Sequence, residues 1–272
     1  MENEPKDLKI RVEEWLEKGG YPLEMQVCQI FSKNGFDVIP SDFYLDVESG
    51  QSREIDLIAS HTIDFGKFLV TFTYIVECKN NHDKPWVAFE NTNFTPDHYT
   101  TYLNQPANKL GKIILNIISK KYPFIFNNLL FPENRIAYSI VSAFSGDNDN
   151  AYKGLYSVTK ATAHRIKNGY YKGKPECEIF VPLIVISGKL FMGKLANGKI
   201  EISEQKNISA FWRNNVLEAP YSMILVNTYE NIDSLVEKAK KELDAVLLKL
   251  KEHQGFILEE INRMSSPANF FH

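Results

Sequence analysis

The sequence predicts an α/β protein, a central mixed β-sheet flanked by helices, and three observations carry that expectation. Runs rich in β-branched and aromatic residues recur at strand length, as in residues 68–76, 135–144 and 178–187. Segments with apolar residues at helical spacing lie among them, residues 104–120 and 232–251 being the longest. The composition, 44% apolar and 24% charged over 272 residues, is that of a globular chain long enough to bury one large core.

Residues 6–18 place Leu8, Ile10, Val12, Trp15 and Leu16 among charges, an imperfectly amphipathic helix that Gly19-Gly20 ends. Pro22 suits the first turn of a second helix, where its missing donor costs nothing. Leu23, Val27, Ile30 and Phe31 form that helix's packing stripe, and Asn34-Gly35 stops it. Residues 36–38 and 43–47 are candidate strands, followed by a turn over 49–52. Residues 53–58 read as another strand, with Glu54 and Asp56 on one face and Ile55 and Leu57 on the other. A turn over 61–67 leads into the strand 68–76. Beyond the polar loop 80–82, Trp86 suits either packing or a stack on a nucleobase.

The helix 104–120 carries Leu110, Ile113, Ile114, Ile117 and Ile118, and residues 122–130 are expected to pack on the core. The strand 135–144 is expected to run parallel to an earlier one after this crossover. A polar turn over 145–150 precedes a basic stretch whose middle, 159–167, reads as a short helix. Pro182 suggests that the strand 178–187 lies at an edge or carries a bulge. Residues 190–195 and 199–202 form a hairpin about Asn197-Gly198, residues 203–218 are mixed, and residues 222–228 are a strand. The last long helix carries Leu235, Ala239, Leu243, Val246, Leu247 and Leu250 on one stripe, which either covers the sheet or pairs with a second copy.

The chemistry centres on residues 74–80, Tyr-Ile-Val-Glu-Cys-Lys-Asn. Residues two apart in a strand share a face, so Glu77 and Lys79 stand side by side at the end of a core strand. Such charges are costly to bury unless they are paired or bound to metal, which leaves an edge salt bridge or a site. Asp56 runs directly into Leu57-Ile58-Ala59, so it too enters a buried strand. The 20 residues between Asp56 and Glu77 fit two adjacent strands and a hairpin, across which the carboxylates meet. Two carboxylates with positions left for water and a phosphate oxygen suit magnesium or manganese.

Glu24, in the first turn of the second helix, either complements the helix dipole or adds a wall to this site. Glu54 is an auxiliary ligand or faces solvent. Lys153, Lys160, Arg165, Lys167, Lys172 and Lys174 fall in a stretch with no acidic residue. They suit a phosphate backbone or form a solvated face.

In this order Glu24, Asp56 within Arg-Glu-Ile-Asp-Leu-Ile-Ala, and Glu77-Cys78-Lys79 closing an apolar strand resemble the PD-(D/E)xK nuclease superfamily. These are the restriction-endonuclease-like enzymes, and the local text is most similar to the branch of Mrr-like restriction and Holliday-junction enzymes. The resemblance covers roughly residues 20–145. Ile55 stands where the superfamily name has proline, and Gln105 is the nearest candidate for the glutamine-bearing helix motif of some branches. The expected organisation is an N-terminal helix over 1–20 and, as the resemblance implies, a restriction-endonuclease-like core over 21–145. A C-terminal extension over 146–272, with hairpin and long helix, packs on the same body.

The resemblance further implies Mg2+-dependent hydrolysis of DNA phosphodiester bonds, with Mn2+ an alternative ion and restriction or defence a role. Asp56, Glu77 and the Cys78 carbonyl would hold the metal. Lys79 would orient or deprotonate water or stabilise the transition state, and Glu24 would position metal or water. RNA stays open as a substrate. Alternatives are an inactive nucleic-acid-binding protein on the same fold, or an interaction protein using its C-terminal helix, and a homodimer is one arrangement open to the chain. The net charge of −3 argues against general positive attraction to nucleic acid, though a local basic channel is compatible with it. Cys28, Cys78 and Cys177 are isolated, without zinc or redox spacing. No secretory pattern opens the chain and no apolar run nears the roughly 20 residues that span a bilayer, so the expected compartment is the cytoplasm.

Overall fold

The computed structural model describes residues 7–46, 48–81, 84–90, 102, 104–125, 136–146, 149–169, 173–213, 215–216 and 221–265. Its centre is a ten-stranded mixed sheet flanked by helices, with strand order β1-β2-β3-β6-β10-β9-β5-β4-β7-β8. The strands are β1 (Asp37–Asp46), β2 (Gln51–Asp64), β3 (Leu69–Lys79), β4 (Trp86–Glu90), β5 (Ile136–Ser142), β6 (Glu176–Ile186), β7 (Leu190–Ala196), β8 (Lys199–Gln205), β9 (Asn207–Arg213) and β10 (Tyr221–Thr228). The helices are α1 (Leu8–Lys18), α2 (Tyr21–Lys33), α3 (Gly111–Lys121), α4 (Asn150–Lys167), α5 (Tyr229–Lys251) and α6 (Gln254–Ser265).

The sheet separates two cores. On one face Leu23, Val27 and Phe31 of α2, the isoleucines of α3, and the stripes of α5 and α6 meet Val70, Phe72, Tyr74, Val76 and Leu183. On the other face α4 brings Ala151, Leu155, Val158 and Ala161 against Ile75, Phe180, Ile184 and Ile186. β3 and β6 lie side by side in parallel and contribute to both cores, which explains their unbroken apolar text. The α5 stripe read from the sequence is buried in full, so this helix covers the sheet. Each fully buried Leu there contributes roughly 1.5–3 kcal/mol.

Several expectations change. Residues 37–38 and 43–46 belong to one strand, β1, with Ser41 at φ 57° between them, and residue 47 lies outside the described residues. β2 runs through the expected turn to Asp64, and β3 runs on through Lys79. β5 is antiparallel to β4 and parallel to β9, so its pairing is with strands later or adjacent in the chain. β6 is not an edge strand: β3 and β10 flank it, and the β10 ladder starts at Leu183, immediately after Pro182. α3 begins only at Gly111, whereas α4 begins nine residues before the expected short helix, where Asp149 accepts hydrogen bonds from the Ala151 and Tyr152 amides.

β9 lies within residues 203–218, which read as mixed, and α6 follows the last element read from the sequence. Phe124 is exposed while Ile125 packs on the core, and residues 126–130 lie outside the described residues. Strands from before and after residue 145 alternate in the sheet, β6 standing directly beside β3. Among the described residues no helix is long and apolar enough to cross a membrane.

Candidate active site

The β2–β3 ladder ends at the pair Leu57–Val76, and Asp56 and Glu77 are the next residues on each strand. The two strands part here. The β1–β2 register also skips the Ser41–Asp56 position, passing from Pro40–Leu57 to Asp42–Ile55. The side-chain alternation of β2 breaks at this point: Ile55 packs with the α4 core and Leu57 with the α2 core, not on one face as expected. Freed from the ladder, Asp56 accepts a hydrogen bond from the Cys78 amide, N to Oδ2 2.6 Å.

Glu77 is buried. Its Oε1 accepts from Lys79 Nζ and its Oε2 from Ser157 Oγ of α4 at 2.9 Å. The expectation that Glu77 and Lys79 share a face is met by this contact. Burial, then the neighbouring Glu77 charge, pushes the Asp56 carboxyl up to about 7, and the Cys78 amide only partly opposes this. Glu24 is raised by burial and by the charges of Glu54 and Glu77, so the α2 carboxylate shares this negative field. For Lys79, burial disfavours the ammonium. The Glu77 charge and hydrogen bond, with Asp56, outweigh it and hold the group above its ordinary value. Cys78 packs in the α2 core, and burial raises its thiol well above the ordinary range, so it is a packing residue and no nucleophile.

Backbone and amide contacts hold the floor of the site. Asn80 Nδ2 reaches the Gly19 carbonyl between α1 and α2, and Ser187 Oγ donates to Asn80 Oδ1 at 2.9 Å. The Ser187 amide donates to the Lys79 carbonyl at 3.1 Å. A Cβ at Gly188 would stand 2.2 Å from the Asn81 carbonyl oxygen, so only glycine lets the chain after β6 cross the end of β3.

A cavity of about 500 Å3 opens beside Glu77 and Lys79, lined also by Tyr44, Glu54, Tyr152 and Tyr156. On its far wall Asp46 is caged. Lys160 Nζ lies 2.8 Å from Oδ1, Ser49 Oγ donates to Oδ2 at 2.9 Å, the Glu48 amide donates to Oδ1 at 3.1 Å, and Arg53 Nε is 3.4 Å from Oδ2. The hydrogen bonds from Lys160, Ser49 and the Glu48 amide, Lys160 first, hold the Asp46 carboxyl well below the usual carboxylate range.

Of the residues expected to act together, Asp56, Glu77, Cys78 and Lys79 form one contact network, with Glu24 and Glu54 in its field. The basic stretch is different from its linear reading, because acidic partners arrive from other elements. Lys160 pairs with Asp46 and Glu48, Arg165 is buried between Asp42 and Glu178, and Lys174 pairs with Asp64 at 2.6 Å. Lys153 lines the cavity and Lys167 is exposed at the end of α4, while Lys172 lies outside the described residues. Trp86 is fully buried in the α4 core, which removes it as a base-stacking residue.

Gln105 is fully buried and donates to the Phe180 carbonyl, in register with Thr73, four positions before Glu77. It therefore does not reach the site. Ser157, Tyr44, Tyr152 and Tyr156 are site residues that sequence reasoning missed. Lys153, Ser157 and Lys160 recur at helical spacing, a signal readable once α4 is started at Asp149. Comparison with protein-family models, with curated proteins and with solved structures found no match.

Proposed function

We propose that this chain is a divalent-metal-dependent nuclease that hydrolyses phosphodiester bonds of DNA, with restriction or defence as its setting. One observation carries the reading: Asp56, Glu77 and Lys79 converge where β2 and β3 part, beside an open cavity. The donor set fits a hard cation, because a divalent ion would relieve the burial of the Asp56 carboxylate and its repulsion by Glu77 and Glu24. Asp56 and Glu77 would hold Mg2+ or Mn2+, with the Cys78 carbonyl as a third oxygen. When bound, the ion supplies a Lewis acid for the phosphoryl oxygen and a more acidic water.

The chain's own groups do the rest. Lys79 is kept protonated by Glu77, which favours charge stabilisation at a phosphate oxygen over proton abstraction. Ser157 and Lys79 fix the orientation of the Glu77 carboxylate. Glu24, its proton affinity raised, can hold or accept a proton at the α2 wall.

Purified protein incubated with supercoiled, linear, branched and single-stranded DNA in Mg2+ or Mn2+ tests this. Cleavage that falls by about 100-fold or more in Glu77→Ala and Lys79→Ala is the expected result. Normal cleavage by both variants would contradict it. A second reading, nucleic-acid binding without turnover, is favoured by the engagement of both Glu77 oxygens, by Lys79 and Ser157. It predicts DNA affinity that survives Asp56→Ala and no cleavage with either ion. The apolar stripe of α5 is buried within the chain, which argues against that stripe as a partner surface.

A further inference from the structure

We propose that the cavity beside Glu77 and Lys79 is a subsite for an unstacked nucleobase, so that the substrate is a single strand or a frayed end and not intact duplex. The inference rests on the nuclease reading of that site. Tyr152 and Tyr156, one turn apart on α4, stack with their rings 13° from parallel and centroids 5.8 Å apart. Both line the cavity that Glu77 and Lys79 line. Ser157, the residue after Tyr156, bonds Glu77, so the aromatic shelf and the carboxylate are held by one turn of helix.

Tyr156 is anchored before any ligand arrives. The Tyr156 hydroxyl lies 2.9 and 2.7 Å from the two Glu48 carboxylate oxygens, and the Lys160 ammonium sits 4.4 Å from the ring centroid. Lys160 is in turn clamped by Asp46 and Glu48. Tyr152 is exposed. The volume, about 500 Å3, falls within the roughly 300–1,000 Å3 of pockets that enclose small ligands.

The charge distribution decides between strand and duplex. A chain of net charge −3, whose Lys160, Arg165 and Lys174 are matched by carboxylates, has little general attraction for a phosphate backbone. Affinity then has to come from base contacts. A base within a duplex is already stacked on its neighbours, and only an unpaired one presents its face to a tyrosine shelf.

The test uses the full-length protein in EDTA, which prevents turnover, with a 2-aminopurine-containing oligonucleotide as a single strand and as a blunt duplex. Anisotropy should show the strand bound at least about tenfold more tightly than the duplex. Tyr152→Ala should weaken strand binding by about tenfold, and Tyr152→Trp should retain it. The 2-aminopurine emission should be quenched by the wild type and not by Tyr152→Ala. Thermal melts confirm that each variant is folded, as expected for an exposed position. Equal affinity for strand and duplex, unchanged binding by Tyr152→Ala, or no binding of either oligonucleotide would overturn the subsite. A parallel Mg2+ assay separates the two proposals: duplex cleavage with no effect of Tyr152→Ala removes the subsite alone, and base stacking without any cleavage removes hydrolysis alone.

Discussion

Asp46 and Asp56 belong to one β-hairpin, and their carboxyls move in opposite directions. Asp46, against Lys160, Ser49 and the Glu48 amide, is held well below the carboxylate range. Asp56 has one amide donor and faces Glu77 and Glu24, so burial and repulsion push it up to about 7. The difference lies in where cations were placed. The Asp46 cluster is complete within the chain and reads as a fastening of α4 to β1. The Asp56 cluster is short of positive charge, and such imbalance is expected where a ligand completes the site.

The largest expected effect breaks the symmetry between the two aspartates. Asp56→Asn should reduce metal-dependent cleavage by about 100-fold or more, whereas Asp46→Asn should act chiefly on the melting temperature. Equal losses of cleavage in both would erase the distinction. Next in size is a contrast between aromatics: Trp86→Ala should cost about 3–5 kcal/mol in urea unfolding, because a buried indole leaves a cavity in the α4 core. Tyr152→Ala, at an exposed position, should leave the unfolding midpoint nearly unchanged.

A pH series gives a smaller effect. A carboxyl whose folded value is raised binds its proton more tightly folded than unfolded. Metal-free stability should therefore fall as pH rises from about 4 to about 7, and the loss is complete above that. Asp56→Asn should remove this dependence and raise metal-free stability at pH 8 by at most about 4 kcal/mol. A wild-type curve flat between those pH values would contradict the assignment. Smallest of all, Lys174→Ala breaks only an exposed pair with Asp64 and should cost less than about 1 kcal/mol by denaturant titration.

Local patterns in the sequence carried the parts of this account that depend on spacing. Glu77 and Lys79 two apart on an apolar strand, Asp56 one hairpin upstream, and the α5 stripe are all properties of contiguous text. What could not be read depends on partners distant in sequence. The acidic residues opposite Lys160, Arg165 and Lys174 come from β1, β2, β6 and the turn after β1, so the basic stretch looked uncompensated. Pro182 signalled an edge because strand order is invisible locally. The first half of α4 mixes Gly154, Tyr152, Tyr156 and Ser157, whose weak helix propensity hid the tyrosine shelf and the residue that holds Glu77. The restriction-endonuclease-like likeness rests on residue order alone, and the sheet adds only its α/β class.

The nuclease reading requires Asp56 and Glu77 to form a divalent-cation site. Calorimetric titration of Mn2+ into metal-free protein at pH 8 tests it most directly, with Asp56→Asn, Glu77→Gln and Asp46→Asn alongside. One bound ion is expected for the wild type and for Asp46→Asn, with affinity lowered at least about tenfold in the other two. Equal Mn2+ binding by all four proteins, or none by the wild type, would contradict it.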